Sequence, residues 1–147
     1  MRQVLCPVLV ARDDELTAIT AAIRQAHEGR GGAVFVLGEP GLGKSRLARE
    51  AGAVARGQGL EVLVGRATSG RASPFRALSE ALQGALRGGL PASSDLDAFR
   101  PFLAPLVPEW HQAGIESSDV SLAEGVLRLL RLAGAQDGCL LVLEDLQ

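Results

Sequence analysis

Lysine is almost absent from this sequence: of 15 basic residues, 14 are arginines and only Lys44 is a lysine. Cysteine is scarce as well. Cys6 and Cys139 stand far apart with no metal-ligand spacing around them, so they read as reduced core thiols of a cytoplasmic protein. No apolar run is long enough to span a membrane, and Met1 to Val10 is too short and too proline-interrupted for a signal peptide. A basic face is missing too. Fifteen basic residues against 17 acidic ones leave a net charge of −2, which argues against nucleic-acid contact by this segment. His27 and His111 have no obvious partners and read as surface residues. From Glu109 onward the chain is mildly acidic, with seven carboxylates to two arginines, read as solvated surface plus one functional pair. What is present is ordinary globular material, 47% apolar and 22% charged, enough for about one domain.

The solitary lysine stands inside Gly38-Glu39-Pro40-Gly41-Leu42-Gly43-Lys44-Ser45, which fits the phosphate-binding pattern G-x-x-x-x-G-K-[ST] at every fixed position. The apolar run Ala33 to Leu37 before it reads as a buried strand. Lys44 to Arg56 behind it reads as a helix with Leu47, Ala51 and Val54 on one face. The residue types follow from the ligand. A triphosphate needs many donors and little bulk, and glycines let consecutive N–H groups turn inward. The helix start adds further N–H groups and the positive end of its dipole. Lys44 is placed to reach the β- and γ-phosphates, and the Ser45 hydroxyl to sit on Mg²⁺. Pro40 has no N–H to give and stiffens the loop. A guanidinium would not fit a cradle built for a compact ammonium, so a lysine at this one place in an arginine-rich chain argues for the motif.

Upstream, Asp13 is expected to cap a helix whose apolar stripe is Leu16, Ile19, Ile23 and Ala26, ended by Gly29 to Gly32. Downstream, Leu60 to Gly65 reads as a second strand and Arg66 to Ser73 as a loop. Ser73-Pro74 reads as a helix start, followed by a face of Phe75, Leu78, Leu82 and Ala85 up to Gly88-Gly89. Pro91 to Pro108 holds four of the seven prolines and is expected to be a linker with short helical turns around Asp97 to Leu103. Trp110 reads as a packing anchor or partner contact. Ser117 or Ser118 caps a leucine-rich helix over Val120 to Ala133, and Asp137-Gly138 is a turn. Cys139 to Leu143 is a continuous apolar run, expected to be a strand buried on both faces.

That strand ends in Glu144-Asp145. A strand delivering carboxylates about a hundred residues after a phosphate loop is the second half of a nucleotide site. One carboxylate would hold Mg²⁺, directly or through water, and the other would polarise the attacking water.

Taken together these stretches resemble a known family. Val36 to Ala48, Ser73 to Leu78, Leu103 to Pro108 and Leu140 to Gln147 are similar to the N-terminal ATPase domain, an AAA-type or STAND P-loop NTPase, of large ATP-binding LuxR-type transcriptional regulators. Val10 to Leu16 resembles the "Gly-Arg-x-x-Glu-Leu" start of AAA-type and related signalling ATPases, with Ala11 in place of the glycine. That likeness puts Val10 and Arg12 near an adenine base; capping and packing are the alternative. The resemblance implies a three-layer αβα P-loop NTPase fold with a parallel sheet, incomplete here because only the N-terminal strands are present. It implies residues 1–32 as a lead-in and 33–147 as a partial ATPase domain, ending just past the acidic pair. In that class a later strand separates the phosphate-loop strand from the acidic-pair strand. A chain without it is expected to be poorly stable alone and to bind nucleotide weakly.

The resemblance also implies ATP and Mg²⁺ as cofactors, with Gly38 to Ser45 and Arg46 around the nucleotide. Lys44, Glu144 and Asp145 are then the catalytic set, and Ser45, Glu144 and Asp145 the metal set. By alignment Glu144 takes the metal and Asp145 the water. Family members often carry aspartate first, so the reverse assignment stays open. In the regulators a helix-turn-helix that binds DNA lies downstream, and the full-length protein has room to self-associate. Two other readings compete with the regulatory ATPase: a P-loop phosphotransferase, and a nucleotide-binding module without hydrolysis.

Overall fold

Residues 12–67, 75–89, 93–135 and 137–145 are described by a computed structural model. The chain first forms helix α1 (Asp13–His27), with Asp13, Asp14 and Glu15 in its first turn. Asp13 does not cap it. The cap position belongs to Arg12, without a side-chain cap bond, and Asp13 is the first helical residue. Carboxylates there still favour the helix through its dipole. Gly29 then turns the chain with φ of 82°.

Helix α2 (Lys44–Gly57) follows the glycine loop. Strand β1 (Glu61–Arg66) comes next, one residue later than its apolar run suggested. Helix α3 (Arg76–Arg87) buries Ala77, Ala81, Leu82 and Ala85. Its expected Ser73-Pro74 start lies outside the described residues. Phe75 does not join the buried face; it precedes the helix in a left-handed conformation and is exposed. The proline-rich stretch resolves as anticipated into short pieces. They are α4 (Ser94–Asp97) and two 3₁₀ turns, Arg100–Leu103 and Pro108–Trp110. Trp110 packs against the core as an anchor, with the Arg100 guanidinium 5.3 Å from its ring centre.

Helix α5 (Asp119–Ala133) is capped by Ser118. The Ser121 N–H donates to Ser118 Oγ at 3.2 Å, and the Ser118 N–H donates to Ser121 Oγ at 2.9 Å. Ser117 is used elsewhere, its hydroxyl donating to the Phe102 carbonyl at 2.6 Å. Ser118→Ala should therefore cost about 1 kcal/mol, a fall of about 3 °C in the thermal midpoint. Ser117→Ala should leave the helix cap in place, and melting followed by circular dichroism compares the two.

Strand β2 (Cys139–Glu144) pairs with β1 in parallel, from Glu61 opposite Cys139 to Arg66 opposite Glu144. Alternation sends Val62 and Leu140 to one face, against α1 and α2 through Ile19, Ile23, Leu47, Ala51 and Ala55, in a cluster that also takes in Leu60 just before β1. It sends Leu63, Leu141 and Leu143 to the other face, against α3, α5 and the buried Leu103, Leu106 and Leu129. Helices thus cover both faces of a short parallel sheet, the expected layer order. β2 is not fully buried, however: Cys139 to Leu143 are only half-buried. Among the described residues β2 has a neighbour on one edge only, so its side chains lack the shielding of a second flanking strand. Cys139 is a free thiol whose Sγ lies 3.5 Å from the Leu130 carbonyl, and burial pushes its pKa up. His27 is exposed but not without a neighbour, its Nδ1 lying 3.3 Å from the Asp137 carbonyl.

The strand expected over Ala33 to Leu37 is not formed. Phe35 is 84% exposed and Leu37 87%. The side chains have strand chemistry, but a strand exists only as one member of a hydrogen-bonded pair. Among the described residues no backbone bond joins 31–38 to β1 or β2. Among the described residues, too, no helix is long and apolar enough to cross a membrane.

Candidate functional site

The glycine loop takes the shape its residues allow. Gly41 has φ of 87° and Gly43 of 79°, conformations that a side chain at either position would strain. Gly43 caps α2, and the Arg46 and Leu47 N–H groups close onto its carbonyl at 3.1 and 2.9 Å. Lys44 is the first helical residue. Its Nζ turns back and donates to the carbonyls of Gly38 at 2.7 Å and Glu39 at 2.9 Å. The ammonium is thus held within the loop itself. Glu39, Pro40, Gly41, Leu42 and Ser45 are exposed around it; Arg46, in the first turn of α2, is half-buried.

Arg12 reaches the same loop from the start of α1. Its Nη2 donates to the Leu42 carbonyl at 2.7 Å, while Nη1 lies 3.4 Å from Glu15. The lead-in is therefore tied to the loop by a charged donor, and α1 shares a hydrophobic core with α2. Val10 lies outside the described residues.

The acidic pair sits at the C-terminal ends of the parallel strands, the edge at which open α/β sheets bind ligands. Glu144 closes β2, with its side chain only 8% exposed. Arg66, opposite it at the end of β1, donates Nε to Glu144 Oε2 at 2.6 Å. That bond raises the guanidinium pKa above its ordinary value, with Asp145 and Glu80 adding to the attraction. The Arg66 N–H in turn donates to Glu80 Oε2 on α3 at 3.0 Å. The other oxygen of Glu144, Oε1, is buried without a hydrogen-bond partner among the described residues. Asp145, the next residue, leaves the strand with φ of 59° and is exposed.

Each half of the expected site is therefore held by its own neighbours, Lys44 by loop carbonyls and Glu144 by Arg66. The helix behind the loop and the strand behind the acids share one cluster through Leu47 and Leu140. Among the described residues no group of three or more His, Cys, Asp and Glu side chains gathers to hold a metal. Sequence reasoning passed over Arg66 and Glu80. The available signal was a cation ending one apolar strand at the same end at which the other strand carries its acids.

A search of curated proteins and a search of solved structures each found no match. Residues 8–147 match the family model described as AAA ATPase domain. That match takes in the glycine loop, both strands and the acidic pair, and the chain belongs to this family of nucleotide-binding ATPase modules.

Proposed function

We propose that this domain binds ATP with Mg²⁺ at the Gly38–Ser45 loop and hydrolyses it, as the nucleotide-operated switch of a LuxR-type transcriptional regulator. The observation that carries the reading is the loop: left-handed glycines leading into α2, with the Lys44 ammonium folded back among the loop carbonyls. A helix N-terminus of this kind offers aligned N–H groups to phosphate oxygens. In this reading residues 33–147 are the ATPase segment and 1–32 its lead-in. The regulatory role rests on the likeness of residues 73–78, 103–108 and 140–147 to such regulators, whose DNA-binding domain lies downstream.

The residues fit a magnesium-bound nucleotide. Mg²⁺ is commonly held by one or two carboxylates and the substrate's own phosphates rather than by a protein cage. The Ser45 hydroxyl would be a further ligand, and Glu144 Oε1 is a buried acceptor without a partner among the described residues. When bound, the cation neutralises charge on the phosphate oxygens. Lys44 binds the β- and γ-phosphates. Asp145, exposed at the strand end, orients the attacking water and takes its proton.

Asp145→Asn tests whether hydrolysis belongs to the function. Asparagine tolerates a left-handed backbone as aspartate does, so the strand end keeps its shape. Nucleotide affinity should stay within about threefold, and turnover without added acceptor should fall about a hundredfold. Unchanged turnover would point to nucleotide binding without hydrolysis at this residue. Turnover that appears only with an added acceptor would favour a phosphotransferase.

A further inference from the structure

We propose that Arg66 is a positioning residue for the metal side of this site: it holds one oxygen of Glu144 and leaves the other as a single-point ligand for the nucleotide's divalent cation. The proposal rests on the ATPase reading above and deepens it.

Three observations carry it. The Glu144 side chain is nine-tenths buried, and among the described residues Oε2 alone is engaged, by Arg66 Nε at 2.6 Å. Its Oε1 is buried and has no hydrogen-bond partner among the described residues, an arrangement that costs free energy unless a ligand completes it. Arg66 itself is pinned at its backbone by Glu80 and placed opposite Glu144 by the strand register, so the pair is built into the sheet and not onto a loop. Glu80 and Asp145 add to the attraction on the guanidinium.

The arrangement does two things at once. A charge-assisted bond to Oε2 fixes the carboxylate rotamer, so the free oxygen meets an incoming cation in one orientation. A guanidinium beside the carboxylate also opposes the cation, which keeps the site from seizing Mg²⁺ with both oxygens. It thereby divides the acidic pair: Glu144 serves the cation through Oε1, and Asp145, outside the ion pair, is left to the water.

The test is binding of a fluorescent, non-hydrolysed ATP analogue to the intact protein, titrated with Mg²⁺, alongside ATP turnover. In Arg66→Met the Mg²⁺ concentration for half-maximal binding should fall about tenfold, the order of effect of one neighbouring charge near a protein surface. Turnover should fall about tenfold as the carboxylate loses its anchor. Analogue binding in EDTA should not change, because the loop supplies it. Arg66→Lys, which keeps a charged donor, should return both quantities to within about threefold of the unsubstituted protein. A purely structural role would weaken metal and nucleotide together and would not separate them. Should Arg66→Met fail to fold, Arg66→Gln carries the same expectation of a lower Mg²⁺ requirement. A folded Arg66→Met or Arg66→Gln with an unchanged or raised requirement overturns the proposal and leaves the ATPase reading standing. Absence of any Mg²⁺-dependent binding by the unsubstituted protein would overturn both.

Discussion

Lys44→Ala should remove nucleotide binding almost completely, with affinity falling a hundredfold or more while the thermal midpoint without nucleotide moves little. The two halves of that expectation have separate causes. Among the described residues the ammonium bonds only to the carbonyls of Gly38 and Glu39. Both lie in exposed backbone, so water replaces the lost donor at little cost. Toward a triphosphate the ammonium has no substitute. Hydrogen bonds to a charged partner contribute about 1.5–3 kcal/mol each, and two of them correspond to a factor of about a hundred or more. Lys44→Arg is the sharper control. The chain uses arginine at 14 other places, so a site needing only positive charge would accept it. A planar guanidinium on this stem cannot fold back between two loop carbonyls as an ammonium does. Titration with a fluorescent ATP analogue should show both variants binding poorly. Full affinity in Lys44→Arg would mean that the loop reads charge alone.

What the sequence disclosed was what its physics keeps local. The glycine loop and α2 were legible because the backbone demands of Gly41 and Gly43 are written in consecutive residues. The α5 cap was legible to within one serine for the same reason. The proline-rich stretch announced its own fragmentation into short turns. What stayed hidden depends on partners distant in the chain. Ala33 to Leu37 has the composition of a strand, but pairing decides whether a strand forms, and no neighbouring residue encodes that. Phe75 has an apolar side chain at helical spacing, yet its backbone leaves the helix before the face begins. The Arg66–Glu144 pair spans 78 positions, and only the parallel register of β1 and β2 sets the two residues opposite each other. The backbone shape of the loop could be read from consecutive residues. The environment of the acidic pair required the sheet.

The largest expected loss of stability comes from a single methyl group on β1. In Gly65→Ala the new Cβ would stand 1.7 Å from the Ala77 carbonyl oxygen and 3.0 Å from the Ala81 nitrogen. These are backbone atoms of α3, and they cannot swing aside as a side-chain tip can. The helix must therefore lift off the strand. Ala77 and Ala81 are buried on the face that meets it, so the close approach has been purchased along the whole contact by small residues. Overpacking typically costs about 1–3 kcal/mol, and a clash with backbone belongs at or above the top of that range. A loss of about 3 kcal/mol lowers the thermal midpoint by about 10 °C in a chain of this size. Gly84→Ala on the same helix provides the contrast. Its Cβ would meet nothing within 4 Å, so it should gain up to about 1 kcal/mol from helix propensity. The damage in Gly65→Ala should also reach the site. Gly65 adjoins Arg66, whose N–H bonds Glu80 on the displaced helix. Moving α3 withdraws Glu80 and loosens the guanidinium that holds Glu144. Below its lowered midpoint, folded Gly65→Ala should therefore show the same reduced Mg²⁺ requirement for nucleotide binding as Arg66→Met, while Gly84→Ala leaves that requirement where it was.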